Sequence, residues 1–390
     1  MAVAFADRLR TIGGSPTLAL AAKAKALAKS GKPVLNFTAG EPDFPTPAHI
    51  KDAGIAALRA EQTKYTPVAG IPELRSAIAT VVNRDRGTSY QPSQAIVTCG
   101  TKHALYSTFQ ILTQPGDDVI ITSPYWVSFP SLVALSGATP VIVKTRETDG
   151  FQPDLKAIRA ALTNATKAII VNSPSNPTGA VVDEARLNAI AELAMERNLV
   201  VVSDEIYDQL VYPPAVHRSI VHVVPAIVDR TMLVGGVGKS YSMTGWRIGW
   251  ALGPQPWIEA MSNLQSHSTS NATSISQHAA LAALTGDQDP SARMRAEFQR
   301  RRDRLVAGLN ALRPLRCTLP GGAFYAWCNV SALNKTSDAV AAQWLEELLI
   351  ATVPGESFGA PGYLRMSFAA SLEAIEEALQ RLGTWFAKQA

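Results

Sequence analysis

Short apolar runs alternate with helix-length segments through the middle of this chain: Ala95 to Thr98, Val119 to Thr122, Ala168 to Val171, Leu199 to Val202 and Met232 to Val234. Each is followed by a loop rich in glycine, proline, serine or asparagine. Runs this short and this continuously apolar suit strands buried on both faces, and the helices between them supply the crossovers that join parallel strands. The chain is therefore expected to be α/β, with a mostly parallel central sheet covered by helices. Ligands of such sheets bind at the carboxyl ends of the strands. That expectation puts Cys99-Gly-Thr-Lys102, Ser123-Pro-Tyr-Trp126, Asn172-Ser-Pro-Ser-Asn-Pro-Thr-Gly179, Ser203-Asp-Glu-Ile-Tyr207 and the loop after Val234 along one edge. Past Pro254 the alternation fades. Long helices are expected from about Ser291, and Leu319 to Cys328 and Tyr363 to Phe368 read as strands of a smaller α+β unit.

The loop after Val234 carries the most reactive side chain. It reads Gly235-Gly-Val-Gly-Lys-Ser-Tyr-Ser-Met-Thr-Gly-Trp-Arg-Ile-Gly249, with Lys239 where a buried strand gives way to a turn. Burial of an ammonium lowers its pKa, and a partly neutral lysine can attack a carbonyl to form a Schiff base. Arg247 adds a guanidinium suited to phosphate or carboxylate, and the glycines let backbone approach such a group closely. The spacing is not that of a nucleotide phosphate loop, because no glycine precedes Gly238-Lys239 across a four-residue spacer. A lysine beside an anion clamp points to a phosphorylated aldehyde.

The other loops add matching chemistry. Gly100-Thr101 opens a helix whose free amides and positive end can take phosphate, with Thr101 adding a hydroxyl. Trp126 offers a flat face to an aromatic ring, or packs as a core tryptophan. Asn176 can donate to a phenolic oxygen or stabilise its own turn. Asp204, at a strand end, needs a cationic partner, and a protonated ring nitrogen is one. Arg365, inside an apolar strand, needs an anion, for which a ligand carboxylate is favoured over a structural one. The segment Ala39 to Pro47 is a shaped loop that either links two units or faces substrate, and Tyr65 is either a polar handle or a packing tyrosine. Arg293 to Arg304, interrupted by Glu297 and Asp303, reads as a solvated helix face, so nucleic acid is not an expected partner.

With 47% apolar and 17% charged residues and a net charge of +4, the 390 residues are ordinary for a globular protein. Three cysteines, Cys99, Cys317 and Cys328, form no Cys-x-x-Cys pair and fit a reducing compartment. The start has no signal-peptide pattern and no stretch is apolar for the length of a bilayer, so a cytoplasmic location without a membrane span is expected.

Taken together, Lys239 with Met243-Thr-Gly-Trp-Arg247, Asn172 to Gly179, Asp204-x-x-Tyr207, Gly40-Glu-Pro-Asp-Phe44 and Leu364-Arg-Met-Ser-Phe368 resemble the pyridoxal-phosphate-dependent class I/II aminotransferases of fold type I. The likeness covers nearly the whole chain. It is greatest to the bacterial aspartate aminotransferases that carry Gly-x-Lys and Ser-Pro-Tyr-Trp-Val-Ser, here Gly100-Thr-Lys102 and Ser123 to Ser128. The resemblance implies a large cofactor-binding domain over residues 48–290 and a small domain formed by 1–47 with 291–390. It implies that Lys239 holds pyridoxal phosphate and shuttles a proton between the substrate's α-carbon and the cofactor. Asp204 would keep the pyridine nitrogen protonated, Tyr207 and Asn176 would bond the ring's 3-oxygen, and Trp126 would stack on the ring. Arg247, Gly100 and Thr101 would hold the phosphate. Arg365, Asn176 and the backbone at Gly40 would receive the substrate's α-carboxylate, and Lys102, assisted by hydroxyls around Ser268 and Thr269, its distal carboxylate. Tyr65 would reach the phosphate of the neighbouring subunit in a homodimer.

The implied reaction is ping-pong transamination between an L-amino acid, aspartate foremost, and 2-oxoglutarate. Aromatic, alanine-type or prephenate substrates, and carbon–sulfur elimination on the same cofactor, are the alternatives. For prephenate, Ile12-Gly13-Gly14-Ser15 lacks the lysine that relatives use. A ligand-sensing regulator would need a DNA-binding extension, and the resemblance begins too near Met1 for one. Many relatives place a phosphate-binding serine just before the lysine; here Gly236 and Gly238 stand at those positions.

Overall fold

In the computed structural model, which describes residues 16–388 together with residues 6, 9 and 12–14, the apolar runs become neighbours in one sheet. Ser15, in the region compared for prephenate, lies outside the described residues. After a helix at Pro16–Lys29, the short strand β1 (Leu35–Asn36) leads toward the sheet. The sheet holds β2 (Ala95–Thr98), β3 (Asp118–Ser123), β4 (Thr139–Lys144), β5 (Thr166–Asn172), β6 (Val200–Asp204), β7 (Thr231–Gly236) and β8 (Gly249–Leu252). Their order in space is β2-β8-β7-β6-β5-β3-β4. Neighbours are parallel except at β8, which runs antiparallel to both β2 and β7. Side chains alternate between two apolar layers: Val119 and Ile121 join one cluster with Phe109 and Val202, while Ile120 joins the other with Val171 and Leu187. Two strands escaped the reading of apolar runs. β4 is a half-exposed edge strand that accommodates Pro140, and β8 is only four residues long and follows directly on the Lys239 loop.

The second sheet is antiparallel, built from β9 (Arg316–Cys317), β10 (Tyr325–Asn329), β12 (Val353–Pro354) and β13 (Tyr363–Ser367) in the order β12-β13-β10-β9, while β11 (Ile350–Ala351) pairs with β1. Its core, with Phe298, Phe324, Tyr325, Trp344 and Phe368, also takes in Tyr207 and Leu210 from the loop after β6. Aromatic edges link the two: the Tyr207 ring stands 5.5 Å from Phe324 and 5.9 Å from Tyr325. No helix among the described residues is long and apolar enough to cross a membrane.

The basic run Arg293 to Arg304 is not a uniformly solvated face. It lies on the helix Asp289–Ala311, where Arg301 and Arg302 are buried. Arg301 Nη1 donates to both carboxylate oxygens of Asp43 (2.8 and 2.9 Å) and Nε to Glu297, with its guanidinium over the Phe44 and Phe298 rings. Arg302 donates to the Pro320 carbonyl and lies over Tyr212. Arginine's flat, weakly hydrated fork suits such sites. One consequence is that the proline-rich loop carrying Gly40 is pinned to this helix through Asp43 and Phe44. Arg301→Ala should therefore cost about 2 kcal/mol, since it strands Asp43 and removes stacking area, whereas exposed Arg293→Ala should be near neutral. Denaturant unfolding checks this; equal effects would contradict the pinning.

Candidate active site

Five strand ends deliver the site. After β2 the chain turns through Gly100 into the helix Thr101–Leu112; after β3 it presents Trp126; after β5, Asn176; Asp204 ends β6; and Lys239 follows β7. β8 runs the other way, so its entry reaches the same edge and brings Arg247 there, just before Gly249. These residues share one cavity of about 680 Å3 with Gly40, Thr101, Tyr207, Tyr325 and Arg365. Arg247 has a left-handed backbone (φ +57°), which folds its side chain back so that Nη1 donates to its own turn at Thr244 (2.8 Å) and the guanidinium lies against Gly100. Gly100 (φ +86°) has no room for a Cβ there.

Lys239 is half-buried at the cavity floor, its Nζ donating to the Gly40 carbonyl at 2.5 Å. Loss of solvent lowers its pKa to about 8; Glu41 opposes that shift, and Arg247 and Arg365 reinforce it. Asp204 is buried. Its Oδ1 accepts from the Ile206 amide at 3.2 Å, and no cationic side chain among the described residues bonds it. Burial raises its pKa to about 7 against that backbone bond, and the neighbouring Glu205 adds to the rise.

Arg365 is fully enclosed. Nη1 donates to Asn176 Oδ1 (3.1 Å), Nη2 to the Thr38 carbonyl (2.9 Å), the guanidinium lies 4.4 Å from the Tyr325 ring centre, and Nε has no partner. Burial lowers its pKa. With Asn176 Oδ1 engaged as acceptor, its amide NH2 is left to donate. Tyr207 and Tyr325 share a 2.8 Å hydrogen bond, and burial raises both phenols, so both remain protonated. Thr101 Oγ1 donates to the Gly235 carbonyl at 3.0 Å.

Two residues read from the sequence stand apart. Tyr65 is 90% exposed and outside the cavity of its own chain. Lys102 does not line the cavity either; its ammonium sits 5.0 Å over the Trp126 ring, and Ser268 and Thr269 are likewise absent from the lining. Three further residues line the cavity, Thr38, Glu41 and Tyr325; Glu41 stood inside the Gly40 to Phe44 motif and Tyr325 inside the Leu319 to Cys328 stretch, though neither was given a role from the sequence. The missing serine has a steric reason at one position. A Cβ on Gly236 would press on Thr101 Oγ1 at 2.5 Å, whereas at Gly238 the nearest atom is Thr244 Cα at 3.9 Å.

A lysine close to neutrality, a buried acid awaiting a cation and a buried arginine with a free donor define a site for carbonyl and amine chemistry on an anionic substrate. The family of class I and II aminotransferases matches residues 32–382. The aspartate aminotransferase of Geobacillus stearothermophilus is 45% identical over 383 residues, 97% of this chain and 98% of the relative. The aspartate/prephenate aminotransferase of Thermus thermophilus is 45% identical over 377 residues, 96% of each. Among solved structures, Thermus thermophilus aspartate aminotransferase with maleate aligns with a TM-score of 0.94 at 43% identity, covering 98% of this chain and 100% of that one. That of Rhizobium meliloti aligns at 0.95 and 37% identity, over 99% of both. The chain belongs to the class I and II aminotransferase family and is a transaminase.

The raised pKa of Asp204 fixes a sign. Folded protein holds this proton up to about pH 7, the unfolded chain only to near its ordinary value of 3.8, so the group's contribution to stability is full below that value and is lost as pH rises through 7. Asp204→Asn cannot ionise. In ligand-free protein its stability relative to wild type should rise by on the order of a few kcal/mol from pH 4 to pH 8, measured by denaturant unfolding. A difference independent of pH would contradict the buried, unpaired carboxylate.

Proposed function

We propose that this aminotransferase works with pyridoxal phosphate, takes its amino group from L-aspartate and passes it to 2-oxoglutarate. The observation that carries the reading is the placement of Lys239, Asp204 and Arg365 in one cavity, each lacking the partner that such a cofactor or substrate supplies. The residues fit the group. Among the described residues no cationic side chain bonds Asp204 and Arg365 Nε has no acceptor, and at Gly100 and Gly249 the backbone meets Arg247 and the Thr101 helix start too closely for any Cβ. When bound, pyridoxal phosphate supplies an electron sink that acidifies the substrate's α-proton.

The chain's own residues would do the rest. Lys239 would hold the cofactor covalently and carry the substrate's α-proton; burial lowers its pKa to about 8, which leaves a usable neutral fraction at neutral pH. Asp204 would keep the ring nitrogen protonated. Tyr207 and the Asn176 amide would donate to the ring's oxygen, Trp126 would stack on the ring, and Arg247 with the Gly100-Thr101 amides would hold the phosphate. Arg365, preset by Asn176 and Thr38, takes the α-carboxylate, so recognition requires little reorganisation. Aspartate as donor is supported by the names of relatives at 44–46% identity over nearly the whole chain.

A homodimer belongs to the same reading. Ile55 and Leu58 on the helix Ala48–Arg59 are 46% and 53% exposed near the exposed Tyr65, which supports an interface through which Tyr65 reaches the partner's phosphate site. The two sheets, one within residues 95–252 and the other within 316–367, support division into 48–290 and the joined termini. Three free thiols support a reducing, cytoplasmic setting.

Lys239→Ala should lower steady-state transamination by about a thousandfold or more and abolish the absorbance of lysine-bound cofactor. Wild-type protein should react with aspartate in preference to alanine or phenylalanine in single-turnover spectroscopy; the reverse order would move the donor to another branch of the family. Gly238→Ser should bind pyridoxal phosphate at least as tightly as wild type, and Gly236→Ser about tenfold more weakly, because the helix start must shift. Fluorescence titration of cofactor-free protein decides; the opposite ranking would contradict the placement of the phosphate.

A further inference from the structure

Two phenols meet at the cavity, and only one of them has a task in the reaction proposed above. Tyr207, in the loop after β6, bonds Tyr325 of β10 hydroxyl to hydroxyl at 2.8 Å, and both side chains are buried. Among the described residues neither hydroxyl has a second partner. Each carries one proton, and the bond between them uses one of the two. Its direction therefore decides which phenol has a proton left for a ligand. If Tyr207 donates, it can only accept from whatever enters the cavity, and the ring oxygen it would serve is itself an acceptor. If Tyr325 donates, Tyr207 keeps its own proton free.

The surroundings of Tyr325 favour the second direction. Tyr325 pairs with Ser367 across β10 and β13, which makes Arg365 its diagonal neighbour on the same face of the sheet, and the guanidinium lies 4.4 Å from the Tyr325 ring centre. A guanidinium offers donors and no acceptor, so it takes no proton from Tyr325. Tyr207 is held in place by rings that meet it edge-on, Phe324 at 5.5 Å and Tyr325 at 5.9 Å. The charged groups that act on Tyr207 are Arg365 and Asp204.

We propose that Tyr325 is a positioning residue: it donates to the Tyr207 oxygen and so directs the Tyr207 proton to the ring oxygen of the cofactor. The assignment rests on the pyridoxal phosphate reading above. A phenol that accepts one hydrogen bond is a stronger donor of the next, so loss of the Tyr325 hydroxyl weakens Tyr207 without altering it. Tyr325→Phe keeps the ring that lies against Arg365. It also leaves in place every charge that acts on Lys239, namely Glu41, Arg247, Arg365 and Asp204.

The test is a pH titration of the absorbance of the lysine-bound cofactor, without substrate, in wild type, Tyr325→Phe, Tyr207→Phe and the double variant. A donor to the ring oxygen weakens that oxygen's hold on the proton of the adjacent lysine nitrogen, so losing the donor moves the midpoint up. Tyr325→Phe should raise the midpoint by about half a pH unit and Tyr207→Phe by about one, and the double variant should match Tyr207→Phe. Cofactor-free Tyr325→Phe should also bind pyridoxal phosphate about twofold more weakly in a fluorescence titration. A midpoint that moves in Tyr207→Phe but not in Tyr325→Phe overturns the assignment while the cofactor reading stands. So does a Tyr325→Phe shift of equal size with and without Tyr207, which marks a general loosening of the site. No shift in Tyr207→Phe overturns both the assignment and the role of Tyr207 at the ring oxygen.

Discussion

The site depends on two adjacent carboxylates that the fold treats in opposite ways. Asp204 and Glu205 are both buried at the end of β6. Burial alone would raise both pKa values. Glu205, however, accepts from Arg86 (2.9 Å), Ser203 and Ser219 and stands beside His217, and Arg86 above all brings it down to about 2. Arg86 is itself held by Asp208, so the cluster is self-sufficient. Asp204 receives one amide hydrogen and, across the chain, the charge of its neighbour, and rises to about 7. Environments that push two carboxyls apart in this way separate a structural ion pair from a group waiting for a ligand. The unpaired one faces the cavity.

Around that floor, positions are set by long-range packing rather than by the loops themselves. Arg365 comes from the second sheet and is aimed by Asn176 and Thr38. Tyr325, on β10, joins Tyr207 to the same guanidinium. Arg301 fixes the loop that carries Gly40 and so sets the carbonyl to which Lys239 donates. The lysine is thus desolvated by walls from both sheets, and its loss of basicity follows from how these elements close on one another.

Much of this was legible in the sequence because burial on both faces leaves an unmistakable run of apolar residues, and strand ends follow from where those runs stop. Lys239, Asp204, Asn176, Trp126 and Arg247 lie just beyond such ends, or just before the one that runs backward. Thr38 was not legible, since it reaches the cavity through a contact that no local pattern encodes; Glu41 and Tyr325 stood inside stretches that were singled out, Gly40 to Phe44 and Leu319 to Cys328, but nothing local assigned either a role. The same limit explains Arg301 and Arg302. A run of arginines does not reveal which of them meets Asp43, 258 residues away. Tyr65 and Lys102 were read as site residues by likeness to relatives, and within one chain both lie outside the cavity. Gly236 shows the converse, a departure from the relatives' pattern that the contact with Thr101 explains.

The central claim is that Lys239 is the residue that holds pyridoxal phosphate. Reduction of the cofactor-loaded protein with borohydride, followed by proteolysis and mass-spectrometric mapping, tests it most directly, because reduction makes a lysine–carbonyl linkage permanent. The cofactor mass should be found on the peptide bearing Lys239 and nowhere else in stoichiometric yield. Its appearance on another lysine, or its absence from every peptide, would contradict the account.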